Sequence, residues 1–161
     1  MSLDTVTRIV DFFEANGFVS EPTGAEIYTI FRDKNYDLGN DSGGGPFCEV
    51  FIEASGDSFV GYGTAIGPDY TETGIVVVRI FADAGLGDLD LYSLSRVSDI
   101  IRDTFRDQTT GKQLKLWPTG GQQGMILFED MSSRQTIEDD TTYDTVYRRK
   151  DIFINYQKVY N

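Results

Sequence analysis

Apolar side chains recur with two different periods along the chain, and the two periods meet between residues 74 and 106. Residues 75–81 form an apolar run, interrupted by Arg79, that is typical of a buried strand. A glycine-containing turn at residues 84–87 leads into an apolar stripe with the spacing of an amphipathic helix, over about residues 90–107. The members of this stripe are Leu91, Leu94, Val97, Ile101 and Phe105. The pattern predicts a strand that runs directly into a helix packed against the same sheet.

A second helix and further strands are predicted around this unit. Helical spacing favours a helix over residues 3–15, and alternation favours a strand over residues 47–54. In that strand Cys48, Val50, Ile52 and Ala54 share one face, and Phe47, Glu49, Phe51 and Glu53 share the other. Other strands are predicted at residues 27–31, 58–66, 114–117, 125–129 and 146–160, with turns at 56–57 and 67–69.

These elements predict an α+β fold. We expect one domain over residues 1–161, with a mixed or antiparallel sheet of four to six strands flanked by two main helices. The last strand is expected to place Ile152, Ile154 and Tyr156 on one face.

Two polar connections separate the predicted elements. Residues 33–46 are rich in glycine, and residues 130–145 are rich in acidic side chains. Neither segment offers much apolar area to offset an ordering cost of about 1–2 kcal/mol per residue. Both are therefore expected to be mobile in a free subunit and to become ordered against a partner.

The chain is strongly acidic, and the charge is unevenly distributed. It has 14 basic and 26 acidic residues and no histidine, which gives a net charge of −12. Residues 1–78 carry −10 of this charge, and residues 79–161 carry −2. Proteins that hold DNA tightly displace its counterions with Lys and Arg, so tight DNA binding is not expected.

The amino-acid composition also bears on the compartment. The chain has a single cysteine, no signal-peptide pattern at its start, and no apolar run near the roughly 20 residues that span a bilayer. We therefore expect folding in a reducing cytoplasm and no membrane association.

Few residues are suited to catalysis. Without histidine, neither a Ser-His-Asp triad nor an imidazole base is available. Cys48 is expected to be an inert, buried thiol because it lies on the apolar face of its strand. Glu49 and Glu53 are the kind of carboxylate pair that glycosidases use, but on one face of the same strand they are expected to form a solvated face.

Three motif-like segments each fail at a required position. Asp33, Asn35 and Asp37 resemble the start of a calcium-binding loop, but Gly44 stands where the bidentate Glu is needed. The segment 110–113, TGKQ, resembles the end of a phosphate-binding loop but lacks its Ser or Thr and follows a helix. In the segment 85–90, GLGDLD, an aspartate takes the third glycine position of a dinucleotide-binding fingerprint. We expect no catalysis, no metal and no cofactor.

Two groups of basic side chains are candidates for a subunit interface. Arg102 and Arg106 lie on the polar face of the second main helix, spaced to pair with Asp99 and Asp103; a solvated face is the alternative. Arg148, Arg149 and Lys150 form the only run of three basic residues in the chain. This run is predicted either to face an acidic surface of a neighbouring subunit or to pair locally with Asp139, Asp140, Asp144 or Asp151.

The order of the motifs resembles a known family. The helix over 3–15 is followed by Gly45-Pro46-Phe47-x-Glu49-Val50 and then by Gly74-x-Val76-x-Val78-x-Ile80-Phe81-x-x-Ala84-Gly85-x-Gly87. A helix bearing Leu94, Asp99, Ile101, Arg102 and Phe105 precedes a final strand, Tyr147-Arg148-Arg149-x-x-Ile152-x-Ile154-x-Tyr156. This order is similar to that of the tail terminator (tail completion) proteins of long-tailed bacteriophages, best over about residues 45–107 and 146–157.

The resemblance implies a structural protein of the virion. Such a protein forms a hexameric ring on the head-proximal end of the tail tube, stops polymerisation of the tube, and joins the tail to the head–tail connector. Genomic DNA passes through the ring without specific binding, which suits an acidic chain because like charges repel. The alternatives are another neck or connector component, a hydrolase with an acidic site, and an acidic binding module of the host.

Overall fold

The computed structural model describes ten parts of the chain: residues 3–16, 19–20, 25–26, 28–31, 36–38, 47–63, 67–83, 88–106, 114–135 and 147–160. The helices are α1 (Leu3–Asn16) and α2 (Asp88–Thr104). The strands are β1 (Val19–Ser20), β2 (Ala25–Glu26), β3 (Tyr28–Phe31), β4 (Tyr36–Leu38), β5 (Phe47–Gly63), β6 (Gly67–Asp83), β7 (Lys115–Leu116), β8 (Met125–Gln135) and β9 (Tyr147–Tyr160).

One mixed sheet organises the described residues. Its strand order is β4-β3-β5-β6-β9-β8-β7, and β1 and β2 form a separate two-stranded ribbon. Only the β3–β5 pair is parallel; the other pairs in this sheet are antiparallel. The predicted α+β fold with two flanking helices is therefore confirmed. Five strands of the sheet have four or more residues, within the expected four to six, and the short edge strands β4 and β7 raise the total to seven.

Both helices pack on the same face of the sheet, which we call the inner face. The predicted stripes are buried there: Ile9 and Phe13 of α1 and Leu94 and Ile101 of α2 are each at most 1% exposed. The alternating residues of β5, β6 and β9 supply the other side of this core, as the period of two requires. Ile152, Ile154 and Tyr156 lie there as predicted.

Four aromatic rings join the two helices to β8. The ring centroid of Phe105, just after α2, lies 5.1 Å from that of Phe13 and 4.9 Å from that of Phe128. Phe12 completes the group, with its centroid 5.4 Å from that of Phe105. Tilted and edge-on ring pairs of this kind stabilise the fold by more than the burial of their apolar area alone.

The strands β5 and β6 form a longer hairpin than the sequence predicted. We expected a turn at residues 56–57 and another at 67–69, but β5 continues from Phe47 to Gly63 and β6 starts at Gly67. The glycine at position 56 belongs instead to a bulge, because the register shifts between Ala54 and Gly56. A bulge takes up an extra residue without ending the strand, so a glycine inside a strand pattern does not by itself mark a turn.

The two connections that were expected to be mobile contain strands. Residues 36–38 form β4, and residues 130–135 belong to β8, which continues past its predicted end at residue 129. Pairing with β3 and β9 supplies backbone hydrogen bonds that a loop would lack. The rest of both segments, 33–35, 39–46 and 136–145, lies outside the described residues, so its expected mobility stays a prediction.

The outer face of the sheet, which points away from the helices, is not simply a solvated surface. Glu49 was expected to be solvated, but it is buried, with 3% exposure, whereas Glu53 is exposed. Glu49 lies opposite Arg79 in the register of β5 and β6, so its charge is next to a basic residue. Phe47 and Phe81 stack on the same face with ring centroids 4.8 Å apart.

Candidate assembly surface

A buried cluster of polar side chains joins the start of α1 to the sheet. We call it the polar junction; it consists of Asp4, Thr5, Arg8, Glu72, Tyr156 and Lys158. Thr5, Glu72, Tyr156 and Lys158 are each at most 1% exposed. A polar group buried without a partner costs several kcal/mol, so a cluster of this kind has to be satisfied internally.

The hydroxyl and carboxylate groups of the polar junction satisfy one another across three elements. Thr5 Oγ1 and the Tyr156 hydroxyl donate to the two carboxylate oxygens of Glu72, at 3.2 and 3.3 Å. Lys158 Nζ lies 2.6 Å from Asp4 Oδ2 and 3.3 Å from Thr5 Oγ1. With Arg8 included, the junction contains two basic and two acidic side chains, so its charge is balanced.

Arg8 extends the junction to the segment between β7 and β8. Its guanidinium donates to the carbonyl oxygens of Leu116, Gln123 and Gly124 at 2.8, 3.1 and 3.0 Å. It also lies 3.6 Å from the carboxylate of Asp4, and its side chain is only 3% exposed. A planar guanidinium with five N–H donors can hold several carbonyls at once, which a lysine cannot do in the same geometry. Arg8 therefore fixes the β7–β8 segment to α1.

Sequence reasoning did not identify the polar junction. A usable signal was present, because Lys158 continues the inward alternation of Ile154 and Tyr156, and Glu72 continues that of Val76. Alternation does not show which residues a buried polar side chain binds. Glu72, for example, is 67 residues from Thr5 and 84 residues from Tyr156.

The basic run at the start of β9 is half-buried rather than fully exposed. Arg149 Nε lies 3.1 Å from Asp151 Oδ1, and Arg79 Nε lies 3.8 Å from the same oxygen. For Arg149 the local pairing with Asp151 is thus confirmed. A contact of Arg148, Arg149 or Lys150 with a neighbouring subunit stays a prediction, and Asp139, Asp140 and Asp144 lie outside the described residues.

The other predicted interface residues lie at the end of α2, on the side of the molecule opposite to the outer face. Arg102 pairs with Asp99 at 3.3 Å, as their spacing predicted, and Arg106 is exposed just after the helix. An exposed pair of this type contributes only a few tenths of a kcal/mol. These charges are accessible to a partner and contribute little to the fold.

Cys48 is buried on the inner face, as the alternation of β5 predicted. Burial raises the pKa of its thiol far above the usual range, because the apolar surroundings disfavour the thiolate. The folded protein therefore keeps Cys48 protonated under conditions in which the unfolded chain would release the proton.

We expect this difference to make the native protein less stable at alkaline pH. The folded pKa is raised, so above about pH 8.5 the unfolded state binds fewer protons than the folded state, and the free energy of unfolding falls as pH rises. The contribution of Cys48 is about 1.4 kcal/mol per pH unit. This contribution is measured by urea unfolding of the native protein and of Cys48→Ala at pH 8 to 10. It is the difference between the two proteins in the slope of the free energy of unfolding against pH. Equal slopes for the two proteins would contradict the burial argument.

No group of three or more His, Cys, Asp or Glu side chains suited to binding a metal occurs among the described residues. Of the three motif-like segments, 110–113 lies outside those residues, 33–44 lies outside them except for β4, and 85–90 is described only from Asp88, where α2 begins. Neither α1 nor α2 is long and apolar enough to cross a membrane.

Comparison with known proteins adds no assignment. No protein-family model matches the chain, and no curated protein is significantly similar to it.

Proposed function

We propose that the protein is a structural subunit of a long-tailed phage virion that assembles head-to-tail into a hexameric ring. The ring binds the head-proximal end of the tail tube, ends polymerisation of the tube protein and joins the tail to the head–tail connector. The protein is not an enzyme in this proposal and needs no cofactor.

The observation that carries the proposal is the arrangement of the segments that bear the family resemblance. The helix, the paired strands, the second helix and the final strand correspond to α1, the β5–β6 hairpin, α2 and β9. These elements share one core, with both helices on the inner face and β6 between β5 and β9. The resemblance therefore covers the elements that build the fold and is not limited to an isolated motif.

The charge of the chain is a second support. A subunit with a net charge of −12 repels the phosphates of DNA, so a ring made from it lets the genome pass without holding it. Net repulsion between subunits also means that assembly depends on local contacts in which opposite charges or apolar surfaces meet.

Assembly and tube capping test the proposal directly. Purified protein at rising concentration is expected to give six-fold rings in negative-stain electron micrographs. Added to polymerising tail tube protein of the same phage at less than one subunit per tube subunit, it is expected to stop elongation. An unrelated acidic protein of similar charge serves as the control for non-specific inhibition. Tubes that grow to the same length with and without the protein would refute the capping function.

A further inference from the structure

Trp117 is the exposed large apolar side chain among the described residues, with 67% of its surface accessible. It is also the single tryptophan of the chain. One exposed apolar residue needs no special explanation by itself. Tryptophan, however, is the residue most enriched among the few that dominate binding at protein interfaces. The surroundings of Trp117 decide whether it is an ordinary exposed residue or part of an interface.

The backbone that carries Trp117 is held in place. Arg8 binds the carbonyl oxygens of Leu116, Gln123 and Gly124, on both sides of the tryptophan. Within the segment, Gln122 Oε1 accepts hydrogen bonds from the backbone N–H and the hydroxyl of Thr119, at 3.0 and 3.1 Å. A partner that binds Trp117 therefore does not have to order a loose loop, which lowers the entropic cost of binding.

Trp117 also stands beside other apolar side chains. Ile126 and Phe128 of β8 and Tyr156 of β9 point into the core, so Met125, Leu127 and Val159 point to the outer face. All three are partly exposed. Trp117 follows β7 directly, two residues after Lys115, which lies opposite Leu127 on this face, so alternation continued past the end of the strand would put Trp117 on this face too. We call these residues, Trp117, Met125, Leu127 and Val159, the outer apolar strip.

The charges beside the strip and those on α2 are complementary. Lys115 flanks the strip at β7, and Glu129 and Asp130 follow it in the bulge of β8; all three are exposed. On α2, Asp99 and Asp103 alternate with Arg102 and Arg106 on the polar face of the helix. Each charged side chain near the strip thus has a counterpart of opposite charge near the end of α2. Because α2 covers the inner face and the strip lies on the outer face, one subunit cannot bring the two together.

We propose that the outer apolar strip of one subunit packs against the end of α2 in a second copy of this chain, with Trp117 at the centre of the contact. The contact is heterologous, because it joins two different surfaces, and such contacts build rings when the rotation closes. The inference rests on the proposed ring, for which it names the two surfaces that meet. The apolar strip supplies the affinity, and the flanking charges fix the register.

The intrinsic fluorescence of the single tryptophan tests the contact. As concentration rises and light scattering reports assembly, the emission of Trp117 is expected to shift to the blue, since its indole leaves water. Assembly with unchanged emission would overturn the inference but would leave the ring function standing. A blue shift in particles that are open chains rather than rings would support the contact and refute the function. A protein that stays monomeric at every concentration would overturn the contact, whereas the tube assay would still test capping.

Substitutions distinguish the contribution of the Trp117 side chain to assembly from that of the segment that carries it. Trp117→Ala is expected to raise the Kd for assembly by roughly 30-fold or more, as a central interface residue does. Gln123→Ala is the matched control, because its side chain is exposed in the same segment and Arg8 contacts only its carbonyl. Circular dichroism of both variants checks the fold. Equal Kd values for Trp117→Ala and the native protein would overturn the inference.

A charge exchange identifies the second surface. Arg102→Glu with Arg106→Glu is expected to weaken assembly, and adding Glu129→Lys with Asp130→Lys is expected to restore it. All four side chains are exposed or half-exposed, so the fold is expected to tolerate the changes. Assembly that is insensitive to the arginine substitutions would mean that the strip meets another surface, such as the strip of a second copy, and would overturn the proposed pairing.

Discussion

Replacing Arg8 by Leu is expected to lower the free energy of unfolding by about 3–5 kcal/mol, because it removes a buried, charged donor together with several hydrogen bonds. The side chain is 3% exposed and donates to three carbonyl oxygens of the β7–β8 segment. Leucine cannot donate to any of them, and Asp4 loses one of its two cationic neighbours. These hydrogen bonds are partly buried, so carbonyl oxygens that lose their donor incur part of the cost of desolvation. Urea unfolding followed by circular dichroism measures the change.

Arg102→Leu provides the matched control for this experiment. It removes the same side chain from a helix, but Arg102 is paired with Asp99 in a partly exposed site. The expected change is less than about 0.5 kcal/mol. If both substitutions lowered the free energy of unfolding by the same small amount, Arg8 would not have the anchoring role that its hydrogen bonds indicate.

Replacing Phe105 by Ala is expected to have an effect of similar size, about 3–5 kcal/mol, for an apolar reason. Phe105 is 4% exposed, and its ring contacts Phe12, Phe13 and Phe128. Removing it opens a cavity where α1, α2 and β8 meet. Because the three neighbouring rings are held by two different elements, Phe12 and Phe13 by α1 and Phe128 by β8, they cannot all move to fill the space.

Phe105→Leu separates the loss of volume from the loss of ring geometry. Leucine keeps most of the apolar volume, so the expected cost is about 1–2 kcal/mol. Chemical denaturation of both variants in parallel gives the ratio of the two effects. A loss of less than about 1 kcal/mol for Phe105→Ala would indicate that the junction of helices and sheet is loosely packed.

The anchoring role of Arg8 also links the fold to the proposed subunit contact. The residue that stabilises α1 on the sheet is the one that holds the backbone on both sides of Trp117. In Arg8→Leu we therefore expect the β7–β8 segment to lose its fixed geometry even where the rest of the domain stays folded. Conversely, Trp117→Ala leaves every described hydrogen bond of Arg8 intact.

The sequence by itself determined the elements whose faces differ in polarity. The period of 3.6 in and just after α2 identified Leu94, Val97, Ile101 and Phe105 as core residues, and the period of two in β5 placed Cys48 on the inner face. These assignments were correct because periodicity is a local property, set by the geometry of one helix or one strand. The α+β class followed from the same local patterns.

The tertiary structure alone decided how these elements are joined. The sequence could not show that β6 would lie between β5 and β9, or that the glycine near the middle of β5 would be absorbed in a bulge. Nor could it show that Lys158 would meet Asp4, 154 residues away, or that Arg8 would hold the segment of Trp117. A buried charge is tolerated only when distant parts of the chain supply its partners, and that condition exists only once the sheet and helices have packed.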